Sequence, residues 1–291
     1  APVFAPFQEP GRVVDWLSEQ LSRRRRCTLM TYVSGAVRVA QAARTRGLDL
    51  SGVCFSVSSE PLTSAKKTEI ERSGARAIPN FSTMESGIVA AGCLEATHPD
   101  DMHLLDDSIA LIQRDRVLQE HRVSVKALMI TGLLNSFPKV LFNTETGDYA
   151  DLMDISCGCP FEELGFSRHL VGVYGFDKLT GAGMTFVGSD LIRIIETVLP
   201  ERFGGTSLDY QMMEEEDETG QTRMSLLISP RLGELDVAGV RRTVLDELGG
   251  DSESTRFMAR VWSESDTLRV RRQEPVPTGR GKLLPLHLKR P

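Results

Sequence analysis

The chain has 291 residues, of which 41% are hydrophobic and 25% charged, with a formal net charge of -6. That balance belongs to an ordinary globular protein, excludes a disordered or fibrous one, and argues against a nucleic-acid-binding protein as a whole. The length allows one large domain or two smaller ones, and two are expected.

Val13, Val14, Trp16, Leu17 and Leu21 recur at helical spacing, so the first element is a helix. Arg23-Arg24-Arg25-Arg26 follows and reads as a solvated helix terminus, not a phosphate site. Next come a strand at 28–33, a helix over about 36–46, a strand at 53–57, a helix over about 64–73 and a strand at 75–78. Strands alternating with helices of this length predict a parallel sheet. From 102 to 152 the pattern changes to short β-like runs at 109–113, 127–131 and 140–143, which read as a smaller antiparallel or barrel-like piece. After about Asp177 a helix at 190–199, strands at 208–213 and 223–229, a helix at 237–248 and a strand at 256–262 suggest a compact α+β domain. The acidic Glu214-Glu215-Glu216-Asp217 run with Thr219-Gly220 reads as a hairpin turn. The expected fold class is thus α/β, with a parallel sheet plus a small β piece over 1–176 and an α+β domain over 177–291.

The longest apolar stretch, around 127–134, falls far below the roughly 18 residues a membrane-spanning helix requires. Residues 1–10 lack the basic-then-apolar pattern of a signal peptide, and five cysteines do not make a secreted disulfide framework. A cytoplasmic location is expected. Cys93, His103 and the pair Cys157-Gly158-Cys159 supply three thiolates and one imidazole, the complement of a tetrahedral structural zinc site. His98 competes for the imidazole position, and scattered cytosolic thiols are the plainer reading. Four protein ligands would leave no open position for catalysis, so such a metal stabilises the fold. Cys27 and Cys54 lie in apolar strands and read as packing residues. No Gly-x-Ser-x-Gly occurs, and the histidines at 98, 103, 121, 169 and 287 have no adjacent nucleophile that spacing could justify.

Four short segments remain: Ser58-Ser59-Glu60-Pro61-Leu62, Phe81-Ser82-Thr83-Met84-Glu85-Ser86-Gly87, Thr146-Gly147-Asp148 and Thr278-Gly279-Arg280-Gly281-Lys282. The first two fall at strand carboxyl ends, where open α/β sheets bind ligands. In this order they resemble the later motifs of adenylate-forming enzymes, closest to the phenylacetate-CoA ligase branch. The resemblance implies that 1–176 is the remainder of the large adenylate-forming domain and 177–291 the small mobile one. It implies the reaction of a carboxylic acid, by analogy an aromatic one, with ATP to give acyl-AMP, then capture by the thiol of CoA or of a carrier's phosphopantetheine. By the same resemblance Phe81 stacks on adenine, Glu85 helps hold Mg²⁺, Asp148 accepts from the ribose hydroxyls, and Ser59, Glu60 and Ser82 line the nucleotide site. Lys282 corresponds to the late lysine that bridges substrate carboxylate and phosphate in adenylation. A similar Cys…His…Cys-x-Cys set occurs in that branch, which supports Zn²⁺ at Cys93, His103, Cys157 and Cys159.

Departures from the pattern are equally specific. Met84 stands where the family has a threonine that reaches the α-phosphate, and it cannot donate a hydrogen bond. The junction His169–Lys178 lacks the family's arginine, and Asp177-Lys178 stands as the expected hinge. Nothing before Ser58 resembles a Ser/Thr/Gly-rich phosphate loop. Full activity is therefore expected to need an upstream portion or a second chain. Two other classes stay open: an ATP-independent acyltransferase between acyl-CoA and a carrier, and a non-catalytic zinc-bearing binding module.

Overall fold

The computed structural model describes residues 5–6, 8–118, 123–137, 139–175, 180–181, 184–185, 190–216, 222–249 and 268–288. By its internal contacts the chain divides into two compact units that part near Gly175. His121, the expected boundary at 176/177, the Asp177-Lys178 pair and the expected strand at 256–262 lie outside the described residues.

The first unit opens with helix α1 (Pro10–Ser22), which buries Val14 and Leu17, and continues through β1 (Cys27–Tyr32), α2 (Val33–Thr45), β2 (Val53–Ser58), α3 (Ser64–Glu71) and β3 (Arg76–Thr83). Local chemistry sets these boundaries. Thr63 caps α3 by accepting from the Lys66 N–H, and alternate burial along β2 presents Val53, Phe55 and Val57 to the core. Fully buried side chains such as Phe55, Leu62 and Ile70 each contribute about 2 kcal/mol of apolar transfer.

The strands β1, β2 and β3 pair in parallel, with Cys27 opposite Val53 and Cys54 opposite Arg76. At β3 the direction changes. The strands β4 (Gly87–Ala91), β5 (Met102–Leu104), β6 (Ile109–Leu118), β7 (Val123–Gly132), β8 (Thr144–Asp154) and β9 (Arg168–Gly175) continue the same nine-stranded sheet in the order β1-β2-β3-β4-β5-β9-β8-β7-β6. Every pairing from β3 onward is antiparallel. The small β piece is therefore antiparallel, as its pattern suggests, and runs on continuously from the parallel strands. Its core gathers Val89, Leu104, Ile109, Leu128, Ile130 and Leu170, with Phe81 packed against it. The four-residue helix α4 (Pro160–Glu163) lies between β8 and β9.

In the second unit β10 (Thr180–Gly181) and β11 (Met184–Thr185) form a minimal hairpin. Helix α5 (Asp190–Arg193) passes through a π-helical turn at Ile194–Val198 into α6 (Leu199–Phe203). The strands β12 (Tyr210–Glu216) and β13 (Thr222–Ile228), helix α7 (Val237–Leu248), and strands β14 (Leu268–Arg272) and β15 (Leu286–Leu288) complete it. The four strands form one sheet in the order β14-β13-β12-β15. Glu214, Glu215 and Glu216 extend β12 instead of forming the expected turn, because the β12–β13 ladder runs on to Glu216 opposite Thr222. Asp236 caps α7 by accepting from the Gly239 N–H at 2.9 Å. No helix among the described residues is long and apolar enough to cross a membrane.

Candidate functional site

Strand register places His103, and the segments that follow β4 and β8 bring the three cysteines to it. Ala91 pairs with His103, His103 with His169, and His169 with Met153, so one row crosses four neighbouring strands. Cys93 follows β4 by two positions, and Cys157 and Cys159 follow β8 by three and five, in loops that return toward His103. Two glycines make the approach possible. A Cβ on Gly92 would stand 2.5 Å from the Pro79 ring and 2.9 Å from its carbonyl oxygen, and Gly158 has φ of 72° between the two cysteines.

The ligand atoms of Cys93, His103, Cys157 and Cys159 all lie within 4.8 Å of one another. Cys93 Sγ is 3.9 Å from Cys157 Sγ, and His103 Nε2 is 3.5 Å from Cys157 Sγ and 3.1 Å from Cys159 Sγ. A tetrahedral zinc with ordinary bond lengths has S···S edges of about 3.8 Å and S···N edges of about 3.5 Å. The residues fit the group. His98 is not in the cluster; among the described residues His103 takes the imidazole position.

The surroundings orient these ligands. His103 Nδ1 donates to the Phe166 carbonyl at 2.6 Å, which leaves Nε2 with its lone pair toward the thiols. Behind it, the His169 ring packs 4.0 Å away, and His169 Nδ1 meets Asp101 Oδ1 at 2.5 Å, both residues being fully buried. Glu162 accepts from the Ser156 hydroxyl at 2.6 Å and from the N–H groups of Cys157 and Gly158 at 2.9 and 2.6 Å. These bonds, from Ser156 and then Gly158, hold its carboxyl below the usual range.

Two of the three thiols resist ionisation. Burial pushes Cys93 up to about 12 and also raises Cys157. Burial opposes ionisation of Cys159 too, but bonds from the Glu162 N–H, the Cys157 thiol and the Phe161 N–H hold it below its ordinary value. Burial lowers His103, which keeps it neutral and able to ligate. A bound dication would ionise the thiols outright. Cys27 is buried in β1 and Cys54 half-buried in β2, remote from this cluster in sequence and strand.

The nucleotide-type residues are arranged differently. Ser59 is exposed just after β2, with φ of 69°, a conformation that is strained for a residue other than glycine. Glu60 is buried; its two carboxylate oxygens accept from the Ser34 N–H at 2.7 Å and the Ser34 hydroxyl at 2.8 Å. It therefore also secures the first turn of α2, a task that no sequence signal assigned to it.

Phe81 and Ser82 lie within β3, which runs five residues beyond its expected end, and a bulge separates them. Phe81 is half-buried against the antiparallel core and Ser82 is exposed. Thr83 and Ser86 bond through their hydroxyls at 2.9 Å and close the turn that carries Met84 and Glu85. Met84 is 86% exposed. Glu85 has Lys139 Nζ 3.9 Å away, and both side chains are substantially exposed.

Asp148 lies on β8 opposite Gly175, its N–H bonded to Thr146 Oγ1 at 3.2 Å. The strands β4, β5 and β9 stand between β3 and β8 in the sheet. Ser59, Glu60 and Phe81 thus share the ends of adjacent strands, whereas strand pairing does not bring Asp148 beside them. Lys282 belongs to the second unit, in a turn where its N–H is bonded to Thr278 Oγ1 at 3.1 Å. Sequence reasoning missed Ser34, Glu162 and the Phe166 carbonyl. A carboxylate three residues after Cys159 could have suggested the second of these; a backbone carbonyl leaves no sequence trace.

No protein-family model matches the chain, and no curated protein sequence matches it. Solved structures do match its fold. An anthranilate CoA ligase, AuaEII, in complex with anthranoyl-AMP, aligns with a TM-score of 0.58 at 12% identity over 96% of this chain and 52% of that one. An ATP-bound RpMatB-BxBclM chimera aligns at 0.59 and 11% identity, over 97% of this chain and 52% of that one. The amide bond synthetase McbA from Marinactinospora thermotolerans aligns at 0.52 and 13% identity, over 95% and 53%. The molecule therefore shares the α/β fold of these solved structures, with a smaller C-terminal sheet. It spans about half the length of these structures.

Proposed function

We propose that this chain is the later portion of an acyl-activating ligase of the phenylacetate-CoA ligase type. Its reaction is attack of a substrate carboxylate oxygen on the α-phosphorus of ATP, with cleavage of the bond to pyrophosphate, followed by transfer of the acyl group to a thiol with release of AMP. The observation that carries the reading is a fold likeness to AMP-forming ligases that extends over nearly the whole chain.

In this reading Phe81 offers the adenine a half-buried ring, Asp148 accepts from the ribose diol, and Ser59, Glu60 and Ser82 line the nucleotide site at the ends of β2 and β3. Glu85 would hold Mg²⁺, which would supply positive charge against the phosphates. Lys282 meets the developing charge in the adenylation transition state. Cys93, His103, Cys157 and Cys159 would hold a structural Zn²⁺, and four protein ligands would leave it no open position for chemistry. The acid is an aromatic carboxylate by resemblance, and the acceptor is CoA or a carrier's phosphopantetheine. The nucleotide site is completed by a further portion of polypeptide, in the same chain or a second one.

Calorimetric titration of Mg-ATP into the chain tests this reading. Saturable binding that Asp148→Ala weakens about tenfold, the equivalent of one lost charge-assisted hydrogen bond, supports it. Absence of binding to this chain and to one extended upstream overturns it. A second reading, acyl transfer between acyl-CoA and a carrier without ATP, is favoured by Met84, whose thioether offers no hydrogen bond to an α-phosphate. Acyl-carrier product that forms without ATP would select it.

A further inference from the structure

The segment that carries Lys282 is held at both ends by one buried side chain. Gln211 lies on β12 and is 0% exposed. Its amide nitrogen donates to the Val276 carbonyl at 3.1 Å and to the Leu284 carbonyl at 2.8 Å, and its amide oxygen accepts from the Val276 N–H at 2.7 Å. Two donors and an acceptor on one uncharged planar group are available only from glutamine and, one methylene shorter, asparagine.

Between these anchors the chain turns back on itself. The Thr278 N–H donates to the Lys282 carbonyl at 2.8 Å, the Gly281 N–H to the Thr278 carbonyl at 2.7 Å, and the Lys282 N–H to Thr278 Oγ1 at 3.1 Å. Gly281 supplies the left-handed residue the turn needs, with φ of 85°. The peptide groups on both sides of Lys282 are thereby fixed, and the frame they are fixed to is Gln211.

The backbone of Gln211 already pairs opposite Leu227 in the sheet, and the Met212 N–H reaches the Pro285 carbonyl at 2.8 Å. The side chain adds nothing to the strand ladder, since each of its three bonds goes to an end of the lysine loop. A buried amide with both ends used is costly to disturb, because a replacement without its two donors takes those bonds from the Val276 and Leu284 carbonyls.

We propose that Gln211 is the positioning residue for Lys282, clamping Val276 to Leu284 so that the lysine is presented from a closed loop of fixed shape. Its catalytic consequence rests on the adenylation role given to Lys282 above; the clamp itself rests on the hydrogen bonds.

Amide hydrogen exchange and side-chain NMR on the wild type, Gln211→Glu and Gln211→Leu test it. In the wild type the Gln211 side-chain NH₂ protons give two slowly exchanging resonances; rapid exchange overturns the proposal even if neither variant folds. In Gln211→Glu, which keeps the size and loses both donors, the Gly281 and Lys282 amides exchange at least about tenfold faster while β13 and β14 keep their protection. Unchanged loop exchange, or equal loosening of loop and strands, overturns it. ATP-dependent acyl-AMP formation, measured in the chain form that supports it, separates the two levels. Loss in both Lys282→Ala and Gln211→Glu, with ATP affinity retained, supports positioning. Loss in Lys282→Ala alone, with the loop loosened in Gln211→Glu, overturns it. No loss in Lys282→Ala removes the adenylation role, and exchange alone then decides the clamp.

Discussion

The first unit holds two sets of chemistry-bearing residues in opposite conditions. The four metal-type side chains converge to within 4.8 Å, drawn together by a row of paired strands and two glycines. The nucleotide-type residues Ser59, Phe81, Ser82, Glu85 and Asp148 are spread along strand ends and half-exposed or exposed. A structural metal would need all its ligands in place at once, and these four groups already stand together. A substrate site has no such need, because the ligand itself bridges residues that never touch one another.

Removal of a converged ligand should produce the largest effect. Cys157→Ser is expected to drop bound zinc well below one per chain and to destabilise the first unit by about 4 kcal/mol, a thermal shift of about 10 °C. Metal analysis with calorimetric melting checks it. Full stability in a zinc-free variant would make the two regions alike, and the convergence would lose its meaning.

Glu60 sits on the border of the comparison, since it belongs by sequence to the spread set but is buried and doubly bonded to Ser34. Glu60→Ala is expected to cost about 2 kcal/mol in denaturant unfolding, from the lost helix cap and the orphaned Ser34 groups. If the variant instead keeps its stability and loses nucleotide binding, Glu60 belongs wholly with the spread set.

The smallest effect concerns acid. The carboxyl of Glu162 is held below its ordinary value of 4.5 in the folded protein. Its contribution to stability is complete above that value and disappears as pH falls through the lower folded value. Glu162→Gln should therefore lower stability at neutral pH and flatten the acid limb of the melting profile, so that variant and wild type converge below 4.5. An unaltered acid limb would remove Glu162 from the acid response.

Much of the first unit is legible in the sequence because its signals are local. The helical spacing of Val13 to Leu21, the β2 run and the α2 and α3 stretches all match the observed elements within a few residues. The end of β3 was hidden, since Phe81-Ser82-Thr83 reads as a motif after the strand, and only its pairing with β4 extends it. β14 and β15 were hidden for a related reason: Leu268–Arg272 is rich in arginine and Leu286–Leu288 is only three residues long, and each becomes a strand by docking on β13 or β12. The metal ligands were legible from residue type. The supports around them were not, because Phe166 acts through its backbone and Ser34 through a contact with Glu60 26 positions along the chain.

Among the described residues, β5, three buried residues long, is the one strand that joins β1–β4 to β6–β9 in the sheet. Each of those halves is contiguous in sequence and can form from neighbours. The seam cannot, since it must wait for β9 to return from far along the chain. Opening of the molecule should therefore begin by splitting along this short strand, with each half surviving as a cooperative unit. His103 stands in the middle of that strand, so an ion held there would rivet the line along which the sheet is easiest to tear.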